Sequence, residues 1–376
     1  MKFNRIILII LIFSCLFTNI QITNIVSTHS SNPDHQSCTI FTATVGDKVF
    51  FGNSEDYDME GVYIWLIPSQ EIDPGTPEGK QLMHGMIFFG FYNNYFIGDG
   101  VPQGGMNDQG MCYDANGLPV APLNDHPERN DTYPEIHVGF QWLWELSNVE
   151  DAIEFFETHY FGTAVAAQIH YADAKGDAVV VSAGTDGEFA YTRINDSNYL
   201  VSTNFNLANP SNGWYPCERY DAACSILDDV NSEEELTIDI CREVLNAVAM
   251  YQTWYSNIFD PVSHDVYIYY HHDFSKVVKL NLDDELAKIV PGAPGVQYFG
   301  FTHGRIYPSG NESGIIGKMI PIADLFKTEP IYRIIMDEET ILIISLVAIG
   351  IVGASSLIIW VFIDEKKKAR NKRKRS

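Results

Sequence analysis

Hydrophobic and polar positions alternate with strand periodicity at both ends of the central part of the chain and take helical spacing between. Cys38 to Thr44 and Lys48 to Gly52 are β-rich runs around Val45-Gly46-Asp47, which predicts a hairpin. A hairpin centred there pairs residues whose numbers sum to about 92, so Cys38 falls opposite Ser54 or so and Asn53, Ser54, Glu55 and Asp56 arrive beside it. Apolar, aromatic runs follow at Val62 to Ile67 and Met86 to Ile97, and Met106 to Met111 predicts a tight turn feeding a strand to Asn116. Helices are predicted at Glu135 to Leu146 and Val149 to His159, the second capped by Asn148. Four strands are expected next, at Ala164 to Tyr171, Ala178 to Ser182, Glu188 to Arg193 and Tyr199 to Thr203. Helices at Cys217 to Asp229 and Glu233 to Val248 follow, with Ser232 and Glu235 as a capping box for the latter. Thr253 to Phe259, Val266 to Tyr270 and Lys276 to Leu280 return to strand. The order predicts an α+β fold of two sheets packed face to face with helices outside.

The two ends follow a different rule. Residues 1 to 37 carry Lys2 and Arg5, an apolar run from Ile6 to Leu16 and small residues beyond, the layout of a secretory leader. Ile341 to Ile363 is 23 residues without a charge, enough for one membrane-spanning helix. A basic tail, 364–376, follows it and belongs in the cytoplasm by the positive-inside rule. The expected organisation is therefore a leader, an outer domain over 38–327, a stalk over 328–340, a cell-membrane anchor over 341–363 and the tail. An uncleaved first anchor and a nucleic-acid patch are the competing readings of the two ends; a basic cluster abutting an apolar helix is more simply a stop-transfer signal.

With 376 residues and 46% hydrophobic content, the chain has enough apolar material for a large core. Residues 38–340 hold 46 Asp and Glu against 14 Lys and Arg, a net charge of −32. Such a surface repels nucleic acid, so no nucleic-acid partner is expected. Sequons at Asn130, Asn195 and Asn311 are compatible with export. Beyond the leader stand Cys38, Cys112, Cys217, Cys224 and Cys241. Four of these five could make up to two bridges, in three connectivities, leaving one thiol over.

Cys38 stands just after the leader at the head of a strand. If the chain is cut before it, Cys38 carries both a thiol and a free α-amino group. Such an amine titrates at about pH 7.7 to 8.0, so it can take the thiol proton without a separate histidine. The chain has no P-loop, no dinucleotide fingerprint and no HExxH or Cys-x-x-Cys metal spacing, so neither cofactor nor metal is expected. His264, His271, His272 and Asp273 invite a metal reading, but strand-end histidines are common.

Cys38-Thr39-Ile40, Phe51 to Asp56, Gly105 to Met111, Asp114-Ala115-Asn116, Val201 to Phe205 and Glu218-Arg219-Tyr220 stand in an order that resembles the N-terminal nucleophile hydrolases. Within them the chain is most similar to the linear amide C–N hydrolases, the group of choloylglycine hydrolase, penicillin V acylase and acyl-coenzyme A:isopenicillin N acyltransferase. The resemblance spans about residues 38 to 285 and implies a four-layer αββα sandwich. It also implies roles. Cys38 matches the nucleophile, Asp56 the aspartate that holds its amino group, and Asn116 the oxyanion-hole side chain. Asn204 matches the asparagine near the amino group and the substrate carbonyl, and Arg219 the arginine that supports the charged site.

One departure concerns Gly52-Asn53-Ser54-Glu55-Asp56, where choloylglycine hydrolases carry Gly-Arg-Asn-x-Asp. The arginine is missing, which weakens any expectation of bile-salt or penicillin specificity. Glu55 reads as an exposed, non-catalytic carboxylate. The implied activity is hydrolysis of a small-molecule N-acyl amide through a thioester, with acyl transfer or a catalytically inactive surface receptor as alternatives. Taken singly, Cys38 could be a disulfide partner, Asn107, Gly110 and Asn116 turn residues, Asn204 a strand end, and Arg219 an ion-pair partner of Glu218 or Asp221. The aromatic residues of 57–97 are expected mainly in the core.

Overall fold

A computed structural model describes residues 38–56, 61–73, 79–93, 99–133, 135–195, 197–302, 304–310 and 314–327. The leader, stalk, membrane segment and tail expected from the sequence lie outside these residues. Among the described residues no helix is long and apolar enough to cross a membrane.

The chain begins with strands β1 (Thr39–Val45), β2 (Lys48–Asp56), β3 (Val62–Ile67), β4 (Gln70–Ile72), β5 (Gln81–Met83), β6 (Met86–Asn93), β7 (Asp99–Asn107), β8 (Cys112–Pro122) and β9 (Asn130–Asp131). Helices α1 (Val138–Glu145) and α2 (Val149–Thr158) follow, then β10 (His159–Tyr160), β11 (Ala164–Ala172), β12 (Ala178–Ala183), β13 (Phe189–Arg193) and β14 (Tyr199–Ser202). Next come α3 (Glu218–Leu227), α4 (Ile238–Val248), β15 (Thr253–Asp260), β16 (Asp265–Tyr270), β17 (Val278–Asn281) and α5 (Leu282–Leu286). The last elements are β18 (Val296–Thr302), β19 (Arg305–Pro308), β20 (Ile315–Pro321) and α6 (Ile322–Leu325).

The strands form two main sheets. The first runs β14-β1-β2-β15-β16-β17 and the second β13-β12-β11-β8-β7-β19-β18-β20-β3-β6. Because β7 also pairs with β6, the last six strands of the second sheet close on themselves. Strand periodicity divides the core into layers. Ile40 and Phe51 turn inward and meet Cys112, Ala172 and Val180 of the second sheet, whereas Phe41, Ala43 and Phe50 turn outward against Leu227, Val244 and Leu245 of α3 and α4. On the far side, Tyr113, Tyr171 and Val181 pack against Phe140, Leu143 and Phe156 of α1 and α2. The layers are thus helix, sheet, sheet, helix, as expected. Of the described aromatic residues between 61 and 93, Trp65, Phe88, Phe89 and Phe91 are core, with Trp65 stacked on Phe88 at 4.9 Å.

Several expectations change in detail. The β1–β2 loop has two residues, Gly46 and Asp47, with Gly46 at φ +61° supplying the left-handed backbone that such a loop needs. Val45 therefore pairs with Lys48 and Thr39 with Ser54, which slips Cys38 one rung to face Glu55. The Ser232–Glu235 capping box forms, with Ser232 N–H donating to Glu235 Oε2 at 3.1 Å, but it closes only a turn. Helix α4 starts later, where the Thr237 hydroxyl accepts from Ile240 N–H. Asn148 caps α2 as predicted, accepting from Glu150 and Asp151 N–H. Asn107 and Gly110 serve the β7–β8 turn: Asn107 Nδ2 donates to the carbonyls of Leu143 and Leu146, its Oδ1 accepts from Gln109 and Met111 N–H, and Gly110 has φ +77°. These five cysteines are all free, so no bridge forms among them.

Candidate active site

Cys38 sits where β1 leaves the first sheet, 4% exposed. Strand alternation sends the two neighbouring carboxyls of β2 to opposite faces, Glu55 toward the second sheet and Asp56 toward α3. Asn116, on the inner face of β8, donates from Nδ2 to the Cys38 carbonyl oxygen at 3.2 Å. Asn204 follows β14 and accepts the Cys38 main-chain N–H on Oδ1 at 3.1 Å, while its Nδ2 donates to the Gly117 carbonyl at 3.0 Å.

Arg219 enters from the first turn of α3. A cation there opposes the helix dipole, and Glu218 and Asp221 in the same turn offset it. Its guanidinium is spent on the site rather than on those neighbours. Nη1 donates to the Cys38 carbonyl at 2.9 Å and to Thr39 Oγ1 at 2.7 Å, and Nη2 donates to Asn204 Oδ1 at 2.9 Å. Nη1 also lies 4.0 Å from Asp56 Oδ2. Asp56, Asn116, Asn204 and Arg219, four of the five residues singled out from the sequence, therefore gather around the fifth, Cys38.

Burial dominates the electrostatics. It pushes the Cys38 thiol well above its ordinary range, and Glu55, Asp56 and Asp114 push in the same direction, opposed by a hydrogen bond from the Asp56 main chain. Burial raises Asp56 to about 7 against the pull of the Thr253 hydroxyl and of Arg219. Thr253 donates to Asp56 Oδ1 from β15, directly across the ladder.

Four contributors escaped the sequence reading. Glu55 is not an exposed carboxylate: it is 2% exposed and lies in the electrostatic reach of the Cys38 thiol. The register slip is the reason, because the rung after Thr39–Ser54 sets Glu55 across from Cys38 on the inner face. Asp114 on β8 is buried beside it, and burial raises its carboxyl to about 7. Thr253 and Gln168 are the others, and neither carries a local signal. Gln168 lies opposite Asn116, donates to its Oδ1 at 3.4 Å, and also binds the carbonyls of Thr203 and Phe205 and the Leu207 N–H. Among the described residues no group of His, Cys, Asp and Glu is arranged to hold a metal ion. His264 pairs instead with Asp283, and His272 with the Met250 carbonyl.

No protein-family model matches the chain, and no curated protein sequence does. Solved structures do. A variant of the conjugated bile acid hydrolase from Clostridium perfringens is similar with a TM-score of 0.50 and 12% identity, over 66% of this chain and 93% of that one. A second mutant of the same enzyme has a TM-score of 0.49 at 13% identity over the same shares, and penicillin V acylase from Agrobacterium tumefaciens has 0.47 at 15% over 65% and 86%. At such identities the likeness is one of fold alone. The chain has the fold of the N-terminal nucleophile hydrolases, the one implied by its resemblance to the linear amide C–N hydrolases.

Proposed function

We propose that the protein hydrolyses a linear, non-peptide or short-peptide amide with Cys38 as an N-terminal nucleophile. The observation that carries this reading is the convergence of Asn116, Asn204 and Arg219 on the main chain of Cys38, with Asp56 beside Arg219. Removal of residues through Ser37 turns the Cys38 main-chain nitrogen into an amine. That amine takes the thiol proton and becomes an ammonium, held by Asn204 and by the nearby Asp56 carboxylate. The sulfur attacks the amide carbonyl, and Asn116 Nδ2 is the side-chain donor for the oxyanion, a contribution typically worth about 2.7 to 4 kcal/mol of barrier. The ammonium returns the proton to the leaving nitrogen as the C–N bond breaks. Water then hydrolyses the thioester.

Burial and three carboxyls make the intact-chain thiol a poor nucleophile, and a new positive charge at Cys38 is the change that favours its thiolate. We further place this domain outside the cell on a helix over 341–363, from the basic tail that follows that uncharged segment.

Two measurements test the reading. Mass spectrometry of the mature protein should find Cys38 at the N-terminus; residues retained upstream remove the amine base. Against a panel of N-acyl amino acids and fatty amides, Cys38→Ala should lose at least about a thousandfold in turnover. Equal turnover by the variant takes Cys38 out of the mechanism.

A further inference from the structure

Glu55 is buried next to Cys38, and the mechanism above gives it no part. The last rung of the β1–β2 ladder pairs Thr39 with Ser54, so Cys38 and Glu55 are the next residues on the same inner face; the Cys38 thiol bears on the Glu55 carboxyl, and Oε2 has no hydrogen-bond partner. Across the gap between the sheets stands Asp114 of β8, whose Oδ1 accepts from Ala115 N–H at 2.7 Å. From β15 comes the phenol of Tyr255, fully buried with its hydroxyl unpartnered. On β2 itself, Asp56 turns to the opposite face, toward Arg219 and Thr253. Among the described residues no Lys, Arg or His makes an ion pair with Glu55 or Asp114. Two neighbouring buried carboxyls without a cation favour keeping one proton between them over ionising together. Burial and then Asp114 raise Glu55 well above the carboxylate range.

We propose that Glu55, kept neutral by Asp114, donates its O–H to the Cys38 sulfur and steadies the thiolate without adding charge. The proposal rests on Cys38 being the nucleophile. In the activated site the thiolate is balanced by the ammonium, and Asp56 by Arg219, so an ionised Glu55 would have no counter-charge. The thiol proton moves to the α-amine and then to the leaving nitrogen, while the proton on Glu55 remains there throughout. Glu55 is a catalytic residue in this scheme and Asp114 a positioning residue acting through it. Where choloylglycine hydrolases carry an arginine in this segment, this chain sets a neutral acid against the sulfur.

The test follows iodoacetamide alkylation of Cys38 in the mature chain from pH 6 to 10, read on the Cys38 peptide by mass spectrometry. It compares wild type, Glu55→Gln and Glu55→Ala, each checked for folding by circular dichroism. A neutral amide donor should serve as well as the neutral acid, so Glu55→Gln should match wild type within about threefold at pH 7. Wherever in this range the wild-type pair gives up its proton, Glu55→Gln should become about tenfold faster than wild type, the equivalent of one unit of pKa. Glu55→Ala, without a donor, should be about tenfold slower than wild type at pH 7. Superimposable profiles for the three proteins overturn the proposal. So does a tenfold or greater loss in Glu55→Gln at pH 7, which would make Glu55 a base. Should Glu55→Gln fail to fold, the Glu55→Ala comparison at pH 7 decides alone. Alkylation needs no amide substrate, so an unchanged profile together with an inactive Cys38→Ala sinks this inference and leaves the amidase reading standing. Undiminished turnover by Cys38→Ala removes the nucleophile and overturns both readings together.

Discussion

Gln168 Nε2 donates to the Thr203 carbonyl oxygen at 2.7 Å, so one buried amide ties the second sheet to the segment that carries Asn204. The same side chain holds Phe205 and Leu207 and reaches Asn116. Gln168→Leu keeps much of the volume but strands two carbonyls and an N–H, at a cost of about 1–3 kcal/mol for each buried group left unpaired. Urea unfolding should show a loss of at least about 2 kcal/mol, and kcat should fall more than KM rises. A fully stable variant would show that this clamp does not hold the segment.

Arg219 serves three acceptors at once, the Cys38 carbonyl, Thr39 Oγ1 and Asn204 Oδ1. A lysine keeps the charge but, as a point donor on a flexible stem, cannot span them. Arg219→Lys should therefore reduce kcat/KM by roughly 10- to 100-fold, about 1.4 to 2.7 kcal/mol of transition-state stabilisation. Activity within twofold of wild type would mean that only the charge matters.

Asp56 is raised to about 7 by burial, so its contribution to stability is greatest below the unfolded carboxylate range and is lost as pH rises through about 7. The Thr253 hydroxyl opposes that loss by bonding the ionised form. Thr253→Val should destabilise the fold more at pH 8 than at pH 5 in denaturant titrations. An equal cost at both values would separate the hydroxyl from the ionisation of Asp56.

His170 is wholly buried between Thr42 Oγ1, 2.9 Å from Nε2, and Ser202 Oγ, 3.0 Å from Nδ1. Burial lowers it to about 3, so the unfolded chain takes up a proton near pH 6.5 that the folded chain refuses. Its contribution is present above pH 6.5 and lost as pH falls toward 3. His170→Gln should flatten the acid side of the stability curve between pH 6.5 and 4, measured as the difference from wild type. Parallel curves would mean that His170 is not a source of acid sensitivity.

Local signals account for much of the fold. The runs at 39–45, 62–67 and 164–172, and the Asn148 cap of α2, lie close to where the alternation of apolar residues and the capping chemistry indicated. The Ser232–Glu235 box misled because the same hydrogen bonds close an isolated turn, and a second cap at Thr237 was available downstream. Strands β18 to β20 were not read at all. They complete the second sheet by inserting between β7 and β3, a placement that no local pattern encodes.

The amino-acid order by itself determined the hairpin that begins at Cys38, the layered α+β architecture, and the candidacy of Cys38, Asp56, Asn116, Asn204 and Arg219, because hydrophobic period and motif order are local properties. Tertiary structure decided which of these side chains meet, and it recruited Gln168 and Thr253 from distant strands. It also decided the environment of Glu55. A two-residue loop in place of a three-residue one moves the register by a single rung, and in a strand that step selects the residue opposite Cys38. The second sheet then covers Glu55 and sets Asp114 beside it, turning an apparent surface carboxylate into a buried acid against the sulfur.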